Sequence, residues 1–166
     1  MPNDRGSELF NFKYYREVRT YEIDIQQVVH NVVYFYYFEE ARIEYLKKLG
    51  FQLKKEINID GVEFVVAHNE ADYHEAAQLG DQLTIYARIS KIGRTSFTFD
   101  LKIERDNGIE MCSGRTTVVS DGIEMCSGRT TVVSIDRASG RPTPIPTQVR
   151  KAMEAFEGAR VNAAAD

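Results

Sequence analysis

A single helical pattern, set among strand-like segments, limits what this chain can fold into more than any other feature. Between positions 32 and 49, apolar side chains recur at the spacing of one helix face; they are Tyr34, Phe38, Ala41, Tyr45 and Leu49. Acidic residues come early in this range and lysines late, as the helix dipole favours, and Gly50 provides a C-terminal stop. We therefore predict one long helix over residues 32–49.

Alternating or Val/Thr-rich segments on both sides of this helix predict strands. They cover residues 12–24, 62–76, 81–92, 95–106 and the repeated segment that follows, and a short helix is predicted at 147–157. Asn107-Gly108 is the residue pair that tight hairpin turns favour. One long helix and several antiparallel strands predict an α+β domain, in which the helix covers one face of a curled sheet.

The segment GIEMCSGRTTVVS occurs twice, at 108–120 and 122–134, and the two copies match at all 13 positions. Two copies in an otherwise unrepeated domain do not make a solenoid. Their offset of 14 residues is even, so both copies would present the same side chains to the same face of a sheet. We predict that the second copy (123–134) lies in the sheet and that the first emerges at the hairpin tip. Cys112 and Cys126 occupy the same position in the copies, which indicates a structural thiol rather than a disulfide framework or a metal site.

Length and composition favour one soluble domain over residues 1–166, with residues 1–11 and 159–166 expected to be flexible. The net charge of −4 argues against wholesale binding to nucleic acid or to an anionic membrane. No apolar run reaches the roughly 18–20 residues of a membrane span. The start, MPNDRGSELF, lacks the apolar stretch of a signal peptide, so we expect a cytoplasmic location.

Residues 21–42, YEIDIQQVVHNVVYFYYFEEAR, hold the densest group of candidate functional side chains. Asp24, at the end of the first predicted strand, shortly precedes the predicted helix start near Asn31. N–H groups at a helix start are unpaired and could polarise a substrate carbonyl, while a nearby carboxylate attacks it or activates water. The alternative is that Asp24 only caps the loop or the helix. His30 allows the same two interpretations, an acid or base and a capping residue.

The spacing of Asp24, Asn31 and Tyr34, followed by FEEARIEYL (38–46), resembles the acyl-CoA thioesterases of the hotdog fold, the 4-hydroxybenzoyl-CoA thioesterase type above all. ADYHEAAQLGDQLTI (71–85) and ISKIGRTSFTFDLKI (89–103) resemble further parts of that family, so the similarity covers roughly residues 12–157. The resemblance implies a hotdog fold, with one long central helix wrapped by a curled antiparallel sheet of about five strands. In that fold the last strand lies inside the sheet.

The resemblance also implies roles for single residues. Asp24 takes the position of the catalytic carboxylate, the backbone N–H of Asn31 that of the thioester-polarising group, and Tyr34 lies in the pocket wall. Gln27 departs from the pattern, because relatives often have glycine three residues after the aspartate. Its side chain could crowd the thioester or donate a hydrogen bond to it, and His30 borders the same substrate site.

Three more positions are implied to bind the CoA part of the substrate. Arg94, in the loop before Ser96, stands where relatives place basic residues for the CoA phosphates, and Lys91 is a weaker candidate. Members of the family form dimers with shared active sites, so Arg94 could serve the partner's site. We therefore expect a homodimer or a tetramer of dimers.

These features predict an enzyme that hydrolyses an acyl-CoA or acyl-carrier thioester without a metal or a cofactor, CoA being part of the substrate. The alternative is a hotdog protein that binds acyl thioesters without catalysis, which Gln27 and a disrupted last strand would fit. A hydratase or dehydratase is disfavoured, because the sequence has neither an Asp-x-Asn-Pro-x-His nor a His-Phe-Pro-type motif.

The remaining polar residues have simpler interpretations. Glu39 and Glu40 lie on the predicted helix and are either solvated or a fallback catalytic base, since some relatives use a helix glutamate. His68 and His74 are six residues apart on a predicted strand, so they share a face without the spacing of metal ligands.

Overall fold

Five strands and two α-helices make up the part of the chain that the computed structural model describes, residues 9–51, 61–106 and 123–161. In chain order they are β1 (Phe12–Glu17), α1 (Val33–Lys48), β2 (Val62–Tyr73), β3 (Gln82–Ile92), β4 (Ser96–Arg105), β5 (Ile123–Asp136) and α2 (Thr147–Glu157). Short 3-10 turns at Thr20–Glu22 and Gly158–Arg160 follow β1 and α2. Apart from the first strand, each element ends within three residues of its predicted bounds.

The strands form one antiparallel sheet in the order β1-β3-β4-β5-β2. β5 is hydrogen-bonded to β4 on one side and to β2 on the other, and β1 and β2 are the edges of the described sheet. A curled sheet around a single long helix is the predicted α+β arrangement, the hotdog fold.

The core lies between α1 and the inner face of the sheet. The predicted helical stripe faces it, since Tyr34, Phe38, Ala41 and Tyr45 are at most 2% exposed. On β3, alternate side chains are equally buried; they are Leu83, Ile85, Ala87 and Ile89. The helical and strand periodicities read from the sequence therefore meet in one apolar layer.

One charged residue of α1 is buried beneath the helix. Arg42 is 9% exposed and donates a hydrogen bond to Thr130 Oγ1 on β5 at 3.0 Å. Thr130 in turn donates to Asn69 Oδ1 on β2 at 2.7 Å. Burial lowers the pKa of Arg42, and the carboxylate of Glu39 opposes that shift. The arginine thereby ties the helix to the two strands at one side of the sheet.

The second copy of the repeated segment forms β5, as predicted. Its residues pair in register with β4 and with β2 along nearly the whole strand. The prediction that the first copy emerges at the hairpin tip concerns residues outside the described part of the chain.

Both ends of the described chain pack against the sheet. Phe10 lies edge-on to Tyr86, with ring centroids 5.9 Å apart, and the Asn11 side chain donates to the carbonyl of Phe156 at 2.9 Å. In α2, the buried carboxylate of Glu157 accepts hydrogen bonds from the hydroxyl of Tyr45 and from the N–H of Ile89. The terminal helix is thereby fastened to both α1 and β3. No helix in the described ranges is long and apolar enough to cross a membrane.

The connection from β1 to α1 differs from the prediction, because β1 ends at Glu17 and not at Asp24. The chain turns at Thr20–Glu22, and the buried carboxylate of Glu22 accepts a hydrogen bond from Arg16 on β1. It then reverses in a small hairpin, in which Ile23 pairs with Val29. Asp24 thus lies in a turn beyond the first strand.

The hairpin loop of residues 25–27 depends on an unusual backbone conformation. Asp24 donates its N–H to the Val28 carbonyl at 2.9 Å and accepts the Gln27 N–H at 3.0 Å. Gln27 has a φ of 64°, the one positive φ outside glycine in the described backbone. A turn that ends in a left-handed residue is a common three-residue hairpin, and glycine suits that position because it lacks a Cβ. The exposed Gln27 therefore adopts the left-handed backbone conformation that glycine would adopt more easily, and this costs about 1–2 kcal/mol of conformational free energy.

We expect the substitution Gln27→Gly to raise the free energy of unfolding by about 0.5–1 kcal/mol, because relief of left-handed strain exceeds the entropy gained by the unfolded chain. Urea denaturation followed by circular dichroism measures it. The matched control is Gln26→Gly, at a neighbouring position with ordinary φ, which should lower stability by about 0.5–1 kcal/mol. Equal losses in both variants would contradict this account of Gln27.

Candidate active site

Asp24 presents a half-buried carboxylate that its own loop holds on one side. Oδ1 accepts the N–H of Gln26 at 2.7 Å and, more weakly, that of Val28 at 3.5 Å. Within the described residues, no hydrogen bond reaches Oδ2. One oxygen is therefore fixed by the backbone, and the other is available to a water molecule or a substrate.

The start of α1 leaves a backbone donor open next to this loop. The helix begins at Val33, whose N–H goes to the carbonyl of His30 at 2.8 Å. The N–H of Val32 goes to Nδ1 of the exposed His30 at 3.3 Å, in the turn just before the helix, whereas the described helix start has no side-chain cap. Asn31 is exposed, and its N–H has no acceptor in the part of the chain that the structure describes. This N–H is the one that the sequence analysis singled out.

A buried carboxylate fixes both ends of the loop that carries Asp24. Glu22 is 6% exposed and accepts hydrogen bonds from the guanidinium of Arg16, the hydroxyl of Tyr37 at 2.9 Å and the N–H of Arg19 at 2.7 Å. Its backbone carbonyl accepts the N–H of His30 at 2.9 Å. The entry and exit of the hairpin are therefore bound to β1 and to α1 through one residue, which the sequence analysis missed.

Electrostatics keeps the donors around Glu22 in their hydrogen-bonding forms. Burial alone would lower the pKa of Arg16, but the carboxylates of Glu40, 2.5 Å away, and Glu22 raise it overall. Burial and the hydrogen bond to Glu22 raise the pKa of Tyr37, whose ring also lies 4.1 Å from the Arg16 guanidinium. A charged arginine and a neutral tyrosine hydroxyl therefore persist across the physiological pH range.

Tyr34 is buried, with 2% of its surface exposed, and does not line a solvent-exposed surface of this subunit. Its hydroxyl accepts the N–H of Ala77 at 3.0 Å, and burial raises its pKa despite that hydrogen bond. The ring of Tyr73 meets it edge-on at 5.4 Å, and the Tyr73 hydroxyl donates to the carbonyl of Asn31 at 2.9 Å. Two tyrosines thus support the helix start; the resemblance implied Tyr34 as part of the pocket wall and did not point to Tyr73.

Lys91, Arg94 and Ser96 come together at the tight turn between β3 and β4. The N–H of Gly93 goes to the carbonyl of Ser96 at 2.7 Å, and the carbonyl of Arg94 accepts the N–H of Ile145 at 3.0 Å. The Lys91 and Arg94 side chains are exposed, and no carboxylate pairs with either one within the described residues. Both cations are therefore available to an anionic ligand.

Within one subunit this basic turn lies far from Asp24. The hairpin of Asp24 packs at the start of β3, where Val18 bonds to Asp81 and Val29 bonds to Ala77. Arg94 follows the other end of the same strand, Gln82–Ile92, whose length is on the order of 30 Å. The structure thus separates the predicted catalytic and CoA-binding residues within a single chain.

The other polar candidates have structural partners or face solvent. Glu40 is engaged by Arg16, whereas Glu39 is exposed on the helix. His68 lies 3.2 Å from Glu70, and His74 lies 3.0 Å from the Ser127 hydroxyl. Across the described ranges, no three His, Cys, Asp or Glu side chains are grouped closely enough to hold a metal ion.

Comparison with known proteins places this chain among thioesterases. A family model described as "Thioesterase superfamily" matches residues 26–112. A putative esterase of Aquifex aeolicus is 33% identical over 96 residues, covering 58% of this chain and 74% of that protein. The acyl-CoA thioesterase YbgC of Haemophilus influenzae is 32% identical over 91 residues, covering 54% of this chain and 67% of that protein.

A solved structure extends the likeness to the three-dimensional fold. The thioesterase of Thermus thermophilus, complexed with coenzyme A and Zn, is 27% identical and superimposes with a TM-score of 0.71. The match covers 91% of this chain and 97% of that one. Because the family model spans more than half of the sequence and the fold agrees along nearly all of it, the chain belongs to the thioesterase superfamily.

Proposed function

We propose that this protein hydrolyses an acyl-CoA thioester to a free acid and CoA thiol, with Asp24 as the catalytic carboxylate and no metal or cofactor. The observation that carries the proposal is the hairpin between β1 and α1. It holds one oxygen of Asp24 by backbone N–H groups, leaves the other open, and leads directly to the unpaired N–H of Asn31. A carboxylate and an electropositive helix start on one short loop are suited to attack on a carbonyl.

In this proposal the Asn31 N–H donates to the thioester oxygen, which becomes negative as the tetrahedral intermediate forms. Asp24 either removes a proton from an attacking water molecule or attacks the carbonyl carbon itself. In the first case the new C–O bond forms from water. The C–S bond then breaks, and the departing CoA thiolate takes up a proton. In the second case the C–S bond breaks as the acyl–Asp24 anhydride forms, the CoA thiolate leaves and takes up a proton, and water then hydrolyses the anhydride to the free acid and Asp24.

The relatives support CoA esters as the substrate class. The Haemophilus influenzae protein is named an acyl-CoA thioesterase, and the Thermus thermophilus structure holds coenzyme A. Whether the acyl group is aromatic, as in the 4-hydroxybenzoyl-CoA type, or aliphatic depends on a pocket that two subunits would share. We therefore propose CoA esters as the class, with the 4-hydroxybenzoyl type as the first aryl substrate to assay.

We further propose that the enzyme is a homodimer or a tetramer of dimers and that Arg94 serves the site of the partner subunit. Two observations support this. Arg94 and Asp24 lie at opposite ends of β3, so one chain does not bring them together. Large apolar side chains around the candidate site are also exposed, among them Tyr21 at 83% and Ile25 at 96%. Exposed apolar side chains next to a candidate site support an interface at this position, since contiguous apolar surface is a feature of interaction sites.

We expect Asp24→Asn to lower the turnover number by about 10²–10⁴-fold and to leave the fold intact, because amide nitrogen and oxygen cannot take the proton or attack. Release of CoA thiol, followed with a thiol reagent across short, long and aryl acyl-CoAs, measures it. The matched control is Glu39→Gln on the exposed face of α1, which should retain activity.

Two outcomes would redirect the proposal. Normal turnover in Asp24→Asn with loss of activity in Glu39→Gln would move catalysis to the helix glutamate. Tight binding of acyl-CoA by the unmodified protein with no thiol release would identify a binding protein in place of an enzyme.

We expect Arg94→Ala to raise KM for an acyl-CoA by about 5-fold with little change in the turnover number, because it removes an exposed charge that pairs with phosphate. The matching acyl-pantetheine, which lacks the nucleotide phosphates, should show no such change. An equal rise in KM for both esters would contradict phosphate recognition by Arg94.

We expect Tyr73→Phe to lower the turnover number by about 3–10-fold with KM nearly unchanged, because one neutral hydrogen bond to Asn31 is lost. Steady-state kinetics separates the two constants. Tyr36→Phe is the matched control. Tyr36, on α1, is exposed as Tyr73 is, but its hydroxyl has no hydrogen bond within the described residues. Full activity in Tyr73→Phe would limit Tyr73 to packing against Tyr34.

A further inference from the structure

One residue of β5 occupies a position between β4 and β2 where the neighbouring groups leave no room for a side chain. Gly128 pairs with Leu101 on one side and Ala71 on the other. A Cβ atom at Gly128 would lie 2.6 Å from the carbonyl oxygen of Glu70 and 2.6 Å from the ring of Phe38. Both distances are far inside van der Waals contact, so only a strand with glycine at this point fits beneath the helix.

Other side chains of β5 have equally specific partners. Facing the helix, Thr130 accepts from Arg42 at 3.0 Å. Facing the opposite side of the sheet, Arg129 donates to Asp100 at 3.0 Å and lies 3.6 Å from Glu70. A strand that replaced β5 would need a small polar residue and an arginine at these two positions.

The sequence contains a second segment with the residue types that meet every one of these requirements. The residues Cys126, Gly128, Arg129, Thr130 and Val132 of β5 recur 14 positions earlier as Cys112, Gly114, Arg115, Thr116 and Val118. Because the offset is even, the same side chains would face the helix after the exchange. The first copy therefore carries the complete pattern of contacts that the space selects.

The connections on both sides also permit the exchange. With residue 109 opposite Arg105, where Ile123 lies now, the hairpin would close through residues 106–108, which include the favoured pair Asn107-Gly108. At the other end, Ser134 donates its N–H to Thr95 and accepts that of Thr143, both at 2.8 Å. These are backbone contacts of a serine that the first copy also supplies, at position 120.

What distinguishes the copies is the sequence that follows them. After the second copy, Ile135 and Asp136 continue the pairing with Glu63 and Val62 on β2. Arg137 then lies 3.2 Å from Glu63. The first copy is followed by Asp121-Gly122, which cannot supply the same side chains. The structure therefore favours the second copy by the contacts of residues 135–137 and not by those of the repeat itself.

We propose that the space between β4 and β2 is a strand-binding site with two occupants encoded in the same chain. Residues 123–136 fill it in the structure, and residues 109–120 take their place whenever the second copy is prevented from fitting. The free-energy gap between the two arrangements arises from the contacts beyond residue 134, together with the different loops that the two arrangements must close. Damage to the second copy can therefore destabilise the protein only up to that gap.

The test is a set of glycine-to-valine substitutions in the full chain, compared by thermal unfolding. Gly114→Val should leave the melting temperature unchanged, because the second copy, and not the first, forms β5 between β4 and β2. Gly128→Val should remain folded with a melting temperature lower by about 5–10 °C, because the first copy takes over. Gly128→Leu should lower it no further. The double variant Gly114→Val/Gly128→Val should lose cooperative unfolding, since neither copy then fits.

Cysteine protection reports which copy is in the sheet, independently of stability. Cys126 is fully buried, so brief alkylation of the native protein should spare it and modify Cys112. In Gly128→Val the protection should move to Cys112. Trypsin separates the two sites, because residues 106–115 and 116–129 form different peptides.

Clear results would overturn the proposal. If Gly128→Val unfolds as completely as the double variant, the first copy cannot replace the second. If Gly128→Val is folded but still protects Cys126, the sheet has adapted to the larger residue without exchange. A lowered melting temperature in Gly114→Val would place the first copy in a structural role of its own.

Discussion

The close contact between Phe38 and Gly128 sets the distance between the long helix and the sheet, and the rest of the fold is arranged around it. A glycine in the middle of β5 lets the helix lie directly on the strand, where any side chain would collide with the Phe38 ring and the Glu70 carbonyl. The neighbouring Arg42–Thr130–Asn69 hydrogen bonds hold the same helix to β5 and β2. With the helix fixed in this way, the exposed Asn31 that precedes it also has a defined position.

The candidate site depends on a second constraint, the buried carboxylate of Glu22. It binds the guanidinium of Arg16 and the Tyr37 hydroxyl, and its backbone carbonyl holds His30. The hairpin between these contacts is short enough that its backbone N–H groups fix one oxygen of Asp24. Rigid support from a buried neighbour, together with an open second oxygen, is what a catalytic carboxylate requires. The left-handed Gln27 closes the same turn and accepts strain that a glycine would avoid.

Local patterns predicted most of the fold. The stripe from Tyr34 to Tyr45 identified the helix and its buried face, because helical periodicity and burial coincide there. Alternation and turn residues located β2 to β5 and the terminal helix, and the even offset of the repeat explained why its second copy could form β5. The prediction failed at residues 18–24, where a polar side chain turns inward. No sequence pattern marks Glu22 as buried, because its partners come from β1 and α1.

For the candidate functional residues, sequence and tertiary structure contributed different things. The sequence by itself determined the types and spacing of the candidate groups, Asp24 before a helix start and Arg94 in a turn, since these are matters of chain order. Only the tertiary structure decided that Asp24 lies in a strained hairpin held by Glu22 and that Tyr73 supports Asn31. It also decided that Arg94 lies at the far end of β3. These relations join residues distant in the chain, and they arise only when the sheet curls around the helix.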